Sequence, residues 1–505
     1  MRLPRHIALC LPLLLPCGAL ADDLGPAQAQ ALQQQLKDWF AGLLGPGIAV
    51  PDLPLQITGE GDHYRMAWPI PGLDDPANGA AVTASLRPLD GGRWAIDAIM
   101  LPEAANFTVT IPDTGDPTTG GPLKAALSVG RQDSHAEIDP ALASPSTLHI
   151  DLGDVAITTD NANQHEEQRI DRYAVETSLK PAPDGRLDAT MDSTIEGWKT
   201  AAKTEDRAAL AIGAQRVHAL GRVDGVSRAK VAGLVSAMNG LLRALPPDAV
   251  EKHGKGDLPP PARAQLRALI QALPDLLTGV KLEETVDGLQ VEIAGMGGLA
   301  LQRMVLGFGG EAPDGNLHAW VELGLDGLDT QSLPPKMTAY LPHHLELRPS
   351  VSGIRTADLS KLALDATEEG AGNDTLAPDI AAIFAQGGVN LAVNTLSFDL
   401  GPAKVEGVGK VVVLSPDSWH GEARLAATGL DELTAQARKD PELQQALLVL
   451  MILRGLAKPD GNRLVWDVAS DGTAVTVNGI DLSGLAGDKP KAKQPNAPQG
   501  QPRKR

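Results

Sequence analysis

A strict alternation of apolar and polar residues limits what this chain can fold into. The pattern runs from about residue 47 to 225, for example in Ala81–Leu86 (AVTASL) and Phe107–Ile111 (FTVTI), and resumes from Val280 to about Leu430. Successive side chains of a β-strand point to opposite faces, so each such segment predicts a strand with one face for a core. Turn sequences such as Asp90-Gly91-Gly92 separate the segments at roughly ten-residue intervals, which is typical of antiparallel meanders.

Apolar residues at helical spacing replace this alternation in several places. One helix is expected at the start, over Pro26–Leu44, and a short one over Thr375–Gln386. Between the two alternating regions, Val226–Leu245 and Pro259–Leu276 each carry an apolar stripe with a period of 3.6 residues. These two segments predict a helical hairpin inserted between two β regions.

The last structured part of the sequence predicts a helix followed by a hairpin. Asp440-Pro441 supplies a helix N-terminus, and Glu442–Leu456 contains the run ALLVLMIL. This helix is apolar nearly all round, so it is expected to be buried. Two strands follow, Arg463–Ala469 and Ala474–Val477. The expected fold class is therefore α+β and β-dominated, with twisted antiparallel sheets from repeated β-meanders, a helical hairpin and a buried C-terminal helix.

A weak internal repeat runs through the β regions. Pro183-Asp184-Gly185, Pro313-Asp314-Gly315 and Pro416-Asp417-Ser418 each precede an alternating strand that closes on a glycine. Their wide spacing excludes a short-period solenoid. Two explanations stay open, which are duplication of a meander unit and coincidence of common turn sequences.

The first 21 residues have the three parts of a cleavable secretory signal. Two arginines form a basic start, Ile7–Leu15 forms a short apolar core, and Ala19-Leu20-Ala21 forms a small-residue cleavage site. The core is shorter than the roughly 20 residues that span a bilayer. We expect cleavage after Ala21 and a periplasmic location. A retained N-terminal helix and a lipid anchor on Cys17 are the alternatives.

Composition excludes several kinds of chemistry and partner. Both cysteines, Cys10 and Cys17, lie in the predicted signal, so the mature chain has no disulfide, cysteine-ligated zinc or thiol nucleophile. A formal net charge of −19 repels phosphate backbones, so we expect no nucleic-acid partner. No segment of the mature chain has the apolar length of a transmembrane helix.

One segment has the opposite charge. Residues 488–505 (DKPKAKQPNAPQGQPRKR) contain six basic residues and one acidic residue, and almost nothing apolar. This composition predicts a disordered basic tail. Such a tail either keeps the protein soluble or contacts anionic lipid or peptidoglycan.

These features divide the chain into five parts. They are the signal peptide (1–21), an N-terminal helix plus β-meander region (22–225), a helical hairpin insert (226–279), a second β-meander region with the C-terminal helix and closing hairpin (280–487), and the basic tail (488–505).

Near its end the chain resembles a known family. The resemblance is carried by LDELTAQARKDPELQQALLVLMILRGL followed by KPDGNRLVWDVASDGTAVTVNGIDL, and by LPHHLELRPSVSGI at 341–354 and GPAKVEGVGKVVV at 401–413. Over about residues 280–482 the chain is similar to the alphaproteobacterial exported family catalogued as domain of unknown function 2125. The resemblance implies a location in the cell envelope of a Gram-negative bacterium. It brings no catalytic residues.

Motifs for catalysis are missing from the sequence. The segment 165–169 (HEEQR) lacks the second histidine of a zinc-protease helix, and no G-x-S-x-G nucleophile turn or P-loop occurs. The adjacent His343 and His344 would point to opposite faces of a strand, and His149 and His318 are expected to be solvated on polar faces. The loop Asp365–Asp379 (DATEEGAGNDTLAPD) has oxygen ligands for a loose calcium site, without the spacing of an EF-hand.

Two hypotheses for function follow. The preferred one is a non-enzymatic envelope protein that binds lipid or another apolar ligand, or that supports envelope assembly, because amphipathic sheets with helices over one face can shield acyl chains. The alternative is an exported hydrolase with a carboxylate-based site scattered through the fold. No residue is assigned to catalysis, to a cofactor or to a metal.

Cleavage of the signal is directly testable. Mass spectrometry of the protein from its native host should find Asp22 as the first residue, because the small side chains of Ala19 and Ala21 define the cleavage site. A mature chain that begins at a lipid-modified Cys17, or one that keeps Met1, would contradict the prediction.

Overall fold

A computed structural model describes residues 25–482 with gaps, the largest of which are 35–54, 70–80, 112–120, 246–258 and 330–340. The predicted signal (1–21), the basic tail (488–505) and the second half of the predicted first helix lie outside the described residues.

Strands make up most of the described chain, and helices interrupt them at a few points. The strands are β1 (Gln56–Glu60), β2 (His63–Pro69), β3 (Ala81–Pro88), β4 (Trp94–Met100), β5 (Ala104–Ile111), β6 (Gly121–Ser128), β7 (Arg131–Asp139), β8 (Ser144–Asp160), β9 (Gln164–Pro181), β10 (Leu187–Thr204), β11 (Arg207–Val226), β12 (Gly279–Ile293), β13 (Gly297–Glu311), β14 (Asn316–Asp329), β15 (His344–Arg355), β16 (Val389–Leu400), β17 (Ala403–Ser415), β18 (Ser418–Thr428), β19 (Lys458–Asp460), β20 (Arg463–Ser470), β21 (Val475–Val477) and β22 (Ile480–Asp481). The helices are α1 (26–34), α2 (Arg228–Ala244), α3 (Pro260–Ala272), α4 (Thr356–Asp365), α5 (Asn373–Phe384), α6 (Leu430–Ala437) and α7 (Gln444–Leu456).

All of these strands belong to one antiparallel sheet. From β7 to β18 each strand pairs with the next one in the sequence, and β18 then pairs with β20. At the other end, β1 to β4 form a second meander that joins the sheet through pairing of β4 with β7. The β5–β6 hairpin extends β7 along the second half of β8.

The predicted β-dominated α+β class and the helical hairpin are confirmed. Helices α2 and α3 pack against each other, and β11 and β12 pair directly on either side of them. The two β regions predicted from the sequence therefore form one continuous sheet, from which the hairpin is an excursion. Helix α5 and the closing strands β20 and β21 also lie where the sequence predicts them, whereas α4 was not predicted.

Buried apolar side chains form a cluster at each end of the sheet, and a smaller cluster of Leu179 and Leu187 lies between them. At one end, α1 packs on β1 to β3 around Tyr64, Leu55 and Leu86. At the other end, Ala427, Trp466 and Val477 form the centre of a second cluster. Along the long strands between them, most apolar side chains are only half-buried.

Seven neighbouring strands, β8 to β14, depart from regular alternation at the same level. The residues at this level oppose one another across the sheet, and we call the row the crease. In alternate strands the crease residue has a positive φ, with values of 54° at Asp154, 63° at Gly197, and 64° at both Gly288 and Gly327. The strands between them contribute Asp171, Gln215 and Gln302.

The crease changes the spacing of apolar residues from two to three. Ile195 and Trp198 flank it in β10, Val286 and Leu289 in β12, and Leu325 and Leu328 in β14. The two residues of each pair are separated by two residues that are not apolar, whereas a regular strand would have one. The extra residue keeps the apolar side chains on the same face of the sheet on both sides of the crease.

Two physical factors favour glycine at the crease positions 197, 288 and 327. A positive φ strains residues that have a Cβ, and the polar side chain of the neighbouring strand fills the space that a Cβ would need. At Gly288 that atom would lie 2.5 Å from Cγ of Gln215. The closing glycines of the three sequence repeats, Gly197, Gly327 and Gly429, all have positive φ values between 63° and 70°.

The prediction that the C-terminal helix is buried is wrong. Leu448 of α7 is 60% exposed and Val449 is 56% exposed, and Met451, Ile452 and Leu453 are also exposed. Helix α7 contacts α6, and Leu456 at its end packs in the cluster around Trp466. The apolar composition of α7 favours contact with other apolar groups. It does not specify that these groups belong to the core of the same chain.

A glycine-to-alanine substitution, which adds one methyl group, tests the contribution of the crease to stability. Replacing Gly288 with alanine should lower the free energy of unfolding by about 1–2 kcal/mol, because the alanine must adopt a positive φ and displace Gln215. Gly310→Ala in β13 is the matched control, since its Cβ would meet its nearest atom at 3.8 Å, and it should change stability by less than about 0.5 kcal/mol. Equal effects of the two changes in urea titrations would contradict a special role of the crease.

Candidate functional site

One face of the sheet is apolar over twelve strands, and we call it the apolar face. Strand register places apolar side chains directly opposite one another in successive rows. The row next to the crease contains no charged residue and consists of Leu152, Tyr173, Ile195, Val217, Val286, Met304, Leu325, Leu345, Phe398, Val405, Ala427 and Leu464.

The middle of the apolar face is open. Phe308 of β13 and Val321 of β14 are direct cross-strand partners and are 48% and 51% exposed. Leu306, Leu391 and Trp419 on the same face are also exposed. At ~4.8 Å per strand, the distance from β13 to β18 is about 24 Å. This length exceeds the ~15 Å that the acyl chains of one bilayer leaflet span.

A single carboxyl group interrupts the four apolar rows between the crease and the far ends of these strands. Glu284 of β12 lies between Ala219 of β11 and Leu306 of β13 and is half-buried. Glu284 is therefore the one charged side chain among the described positions of these rows.

The opposite face carries a row of alternating charges next to the crease, which we call the charge ladder. Basic and acidic residues alternate over nine strands, β9 to β17, through direct cross-strand pairing or, at His344, through a hydrogen bond from its backbone N–H to Asp399 at 2.8 Å. The ladder consists of Arg172, Glu196, Arg216, Asp287, Arg303, Asp326, His344, Asp399 and Lys404.

Ion pairs tie the start of the ladder to β8. The guanidinium of Arg172 donates hydrogen bonds to both carboxylate oxygens of Asp151, at 2.8–3.2 Å. Arg131 contacts the same carboxylate at 3.3 Å. Hydrogen bonds from Arg172 hold the pKa of Asp151 below its ordinary value, because they stabilise the ionised carboxylate. The carboxylate of Asp151 is therefore ionised and paired at neutral pH.

The cluster best suited to a metal lies on this polar face. Asp133 and His135 of β7 and His149 of β8 have one donor atom each within 4.8 Å of the others, and the two imidazoles stack at 4.7 Å. Donor atoms around zinc lie about 3.3 Å apart, since each is ~2.0–2.1 Å from the ion. These side chains would have to move closer to share an ion, and Asp133 and His135 are exposed, so we assign no metal to them.

The other histidines that the sequence singled out have separate partners. His343 contacts the carbonyl oxygen of Leu328 at 2.8 Å, whereas His344 contacts Asp326 at 2.5 Å. His318 lies 3.4 Å from Glu311, and Nδ1 of His149 lies 3.3 Å from Glu176. The structure does not bring these histidines together around one point, apart from the pairing of His149 with His135.

The loop considered for calcium is largely helical. Helix α4 ends at Asp365 and α5 begins at Asn373, so only a short connection separates them. The carboxylates of Asp365 and Asp379 both accept a hydrogen bond from Nζ of Lys361, and these bonds raise the pKa of the lysine. A lysine ammonium therefore already occupies the position between two of the expected calcium ligands.

Sequence reasoning missed the crease and the charge ladder, although both have a local signature. Three strands carry an acidic residue, a glycine and an apolar residue, in Glu196-Gly197-Trp198, Asp287-Gly288-Leu289 and Asp326-Gly327-Leu328. Their neighbours carry an apolar residue, a polar residue and an arginine, in Ile170-Asp171-Arg172, Ala214-Gln215-Arg216 and Leu301-Gln302-Arg303. The two motifs alternate along the chain and face each other in the sheet.

Comparison with known proteins gives no relative. No family model, no curated protein and no solved structure matches the chain. The resemblance to domain of unknown function 2125 therefore stays a prediction. None of the helices in the described part of the chain has both the length and the hydropathy to cross a bilayer.

The ion pair at the start of the ladder predicts a pH-dependent stability difference. Arg172→Gln should lower the urea midpoint at pH 7, because Asp151 loses its main hydrogen-bond donor. The pKa of Asp151 is depressed in the folded state, so this contribution is present above about pH 4 and is lost as the pH falls through the folded-state pKa. The difference from the unmodified protein should therefore shrink at pH 3 and below.

The matched control for this ion pair is Arg169→Gln. Arg169 is on the same strand, and its partner Glu167 lies two residues away, so it does not link two strands. Its effect at pH 7 should be smaller than that of Arg172→Gln. A midpoint difference for Arg172→Gln that is unchanged between pH 7 and pH 3 would rule out the titration of Asp151 as its source.

Proposed function

We propose that this protein is a non-enzymatic binding protein of the cell envelope, and that its apolar face holds the acyl chains of a lipid. The observation that carries the proposal is the open, uncharged strip around Phe308 and Val321 in the middle of a face that is apolar over twelve strands. The periplasmic location belongs to this proposal, since it depends on the predicted signal.

Physical complementarity favours an acyl chain over a folded partner. The strip is continuous in the direction across the strands and longer than one acyl chain, and its side chains are aliphatic or aromatic. Burial of apolar surface contributes about 25 cal/mol per Å², so half-exposed side chains in a row provide a substantial binding energy without directed polar contacts. Glu284 would then lie close to a polar group of the ligand.

The charge ladder explains why binding is assigned to only one face. The polar face carries a row of charged side chains, and desolvating them against an apolar ligand would be unfavourable. An apolar ligand is therefore expected to bind the apolar face and not the polar face.

A carboxylate-based hydrolase is less well supported. A general acid needs a carboxyl group whose pKa is raised by burial or by a neighbouring carboxylate. Among the residues that the structure describes, each carboxyl group with a shifted pKa has it lowered by hydrogen bonds, at Asp62, Asp151, Asp365, Glu406, Glu422 and Asp471. These groups are ionised at neutral pH and are unsuited to donating a proton.

Binding of a fluorescent fatty-acid analogue tests the proposal. The mature protein should bind it saturably, and Phe308→Asp combined with Val321→Asp should weaken binding at least about tenfold, because a carboxylate must be desolvated against the ligand. Both positions are already exposed, so the variant should fold, and its melting temperature checks this. Val408→Asp, at a 53% exposed position on the polar face, is the matched control and should bind like the unmodified protein.

Salt and truncation separate this site from the basic tail. Binding to the apolar face should be the same in low and high salt and in a chain that ends at Gly487, whereas attraction to residues 488–505 would weaken as salt screens it. No saturable binding by either chain, or binding that disappears with the tail, would overturn the assignment to the apolar face.

A further inference from the structure

The second row of the apolar face, counted from the crease, is mostly leucine from β13 to β18. Cross-strand pairing places its side chains directly opposite one another. From β12 onward the row consists of Glu284, Leu306, Leu323, Leu347, Leu396, Gly407, Leu425 and Trp466. We call its leucines the leucine row. At ~4.8 Å per strand, the leucine row is about 24 Å long from Leu306 to Leu425.

The glycine on β17 does not interrupt the apolar surface of this row. The space above Gly407 is occupied by the Cδ2 methyl group of Leu425, and Cδ2 of Leu396 would lie 3.7 Å from a Cβ built at this position. The side chains of the two neighbouring strands therefore cover β17 from both sides. An extended alkyl chain laid across the strands would contact apolar groups along the whole leucine row.

The two ends of the leucine row differ in polarity. At one end, Leu425 packs against the buried cluster of Ala427 and Trp466. At the other end stands Glu284 of β12, the cross-strand partner of Leu306. The polar group of a bound amphiphile is expected at the Glu284 end, because burying it in the apolar cluster would leave it without hydrogen-bond partners.

Glu284 has apolar neighbours in every direction on this face. Its cross-strand partners are Ala219 and Leu306, and Leu282 and Val286 lie on either side of it along β12. Within the part of the chain that the structure describes, its carboxylate forms no ion pair and accepts no hydrogen bond. Glu284 is therefore a half-buried carboxylate whose interaction partner is not supplied by the described residues.

The row offers space for a polar group beside Glu284. On the side away from the leucine row, it continues through Ala219 of β11 and Ser193 of β10. Their short side chains project less from the sheet than leucine does. A head group can therefore lie over Ala219 while the alkyl chain attached to it lies over Leu306.

Electrostatics decide which head group fits this position. A bound amphiphile displaces part of the hydration of the Glu284 carboxylate, and an uncharged head group without a hydrogen-bond donor would leave this loss uncompensated. A carboxylate or phosphate at the same place would add repulsion between like charges. A primary ammonium group supplies the opposite charge and three hydrogen-bond donors, so it compensates the lost hydration.

We propose that the apolar face selects amphiphiles that carry a primary ammonium group, and that Glu284 determines this specificity. The inference rests on the proposed function, because it names the head group of the lipid whose acyl chain the apolar face holds. The alkyl chain lies along the leucine row, and the ammonium group donates hydrogen bonds to Glu284. A fatty acid avoids Glu284 only on the neighbouring rows, where β12 carries Val286 or Leu282, and therefore binds less tightly.

Displacement of the fluorescent fatty-acid analogue by amphiphiles of one chain length tests the proposal. Below the concentrations at which micelles form, dodecylamine should bind the mature protein at least about tenfold more tightly than dodecanol or dodecanoic acid. Glu284→Gln should weaken dodecylamine binding about tenfold, because the amide keeps the size of the side chain but loses its charge. The same change should leave the affinity for dodecanol unchanged and should not weaken binding of dodecanoic acid.

Glu283→Gln is the matched control, because it makes the same change at the next residue on the opposite face of β12. Glu283 pairs with Nζ of Lys281 at 2.9 Å on the polar face. Its replacement reduces the negative charge of the chain as much as Glu284→Gln does. It therefore separates a specific contact from general attraction of an amine to a protein with a formal net charge of −19. Glu283→Gln should leave all three affinities unchanged, and both variants should keep the melting temperature of the unmodified protein.

A second pair of probes distinguishes two sources of the ammonium group. It occurs directly on a long-chain amine or, beyond a phosphate, in a phosphoethanolamine head group. Tight binding of lysophosphatidylethanolamine, with weaker binding of its N-methylated counterpart lysophosphatidylcholine, would assign the phosphoethanolamine head group. Tight binding of dodecylamine alone would assign an amine attached directly to the chain.

The outcomes separate failure of this proposal from failure of the proposed function. Equal affinity for all three dodecyl compounds, or dodecylamine binding that Glu284→Gln leaves unchanged, would overturn the role of Glu284 and leave acyl-chain binding intact. Equal weakening by Glu284→Gln and Glu283→Gln would assign the preference to net charge and would also overturn it. Tightest binding of dodecanoic acid, lost in Glu284→Gln, would overturn it in favour of a proton shared between two carboxyl groups. No saturable binding of the analogue or of any amphiphile would overturn the proposed function itself.

Discussion

The register between neighbouring strands is the constraint on which the rest of this structure depends. A slip of one residue would move every apolar side chain of a strand to the wrong face, but a slip of two residues would leave the alternation intact. The charge ladder and the crease distinguish these registers, because a slip of two would place Arg216 away from Glu196 and Asp287 and would remove Gln215 from its place over Gly288. The positions of the charged residues and glycines therefore select one register among those that hydrophobic alternation alone allows.

Correct register over so many strands produces a broad apolar surface with exposed residues near its middle. The ends of the sheet have buried clusters around Tyr64 and Trp466, whereas the apolar face between them is half-buried and includes exposed residues such as Phe308 and Val321. The polar face carries the charge ladder and the ion pair of Arg172 with Asp151, which lowers the pKa of this carboxyl group. An amphipathic sheet with one open apolar side is suited to an apolar ligand, and the proposed binding of acyl chains uses this difference between the faces.

Helix α7 shows how apolar composition can be misread. A helix that is apolar nearly all round predicts burial, yet five apolar side chains of α7 are exposed, and its C-terminal end is fixed by Trp466 and Asn478. The apolar composition of α7 favours an apolar surrounding. It does not state whether that surrounding is a core, a ligand or a membrane, because hydropathy measures transfer out of water and is insensitive to the identity of the apolar phase.

The sequence by itself determined the strands, the helical hairpin and the closing hairpin, because alternation and helical spacing are local properties of ten to twenty residues. It also contained the acidic-glycine-apolar motif of Gly197, Gly288 and Gly327. The structural role of this motif is evident only when the strands that pair with it are known. Only the tertiary structure decided that the two β regions form one sheet, that His135 lies opposite His149, and that α7 is exposed. These facts depend on which segments pair across long sequence separations, and pairing is decided by the sum of many weak cross-strand contacts that no single segment contains.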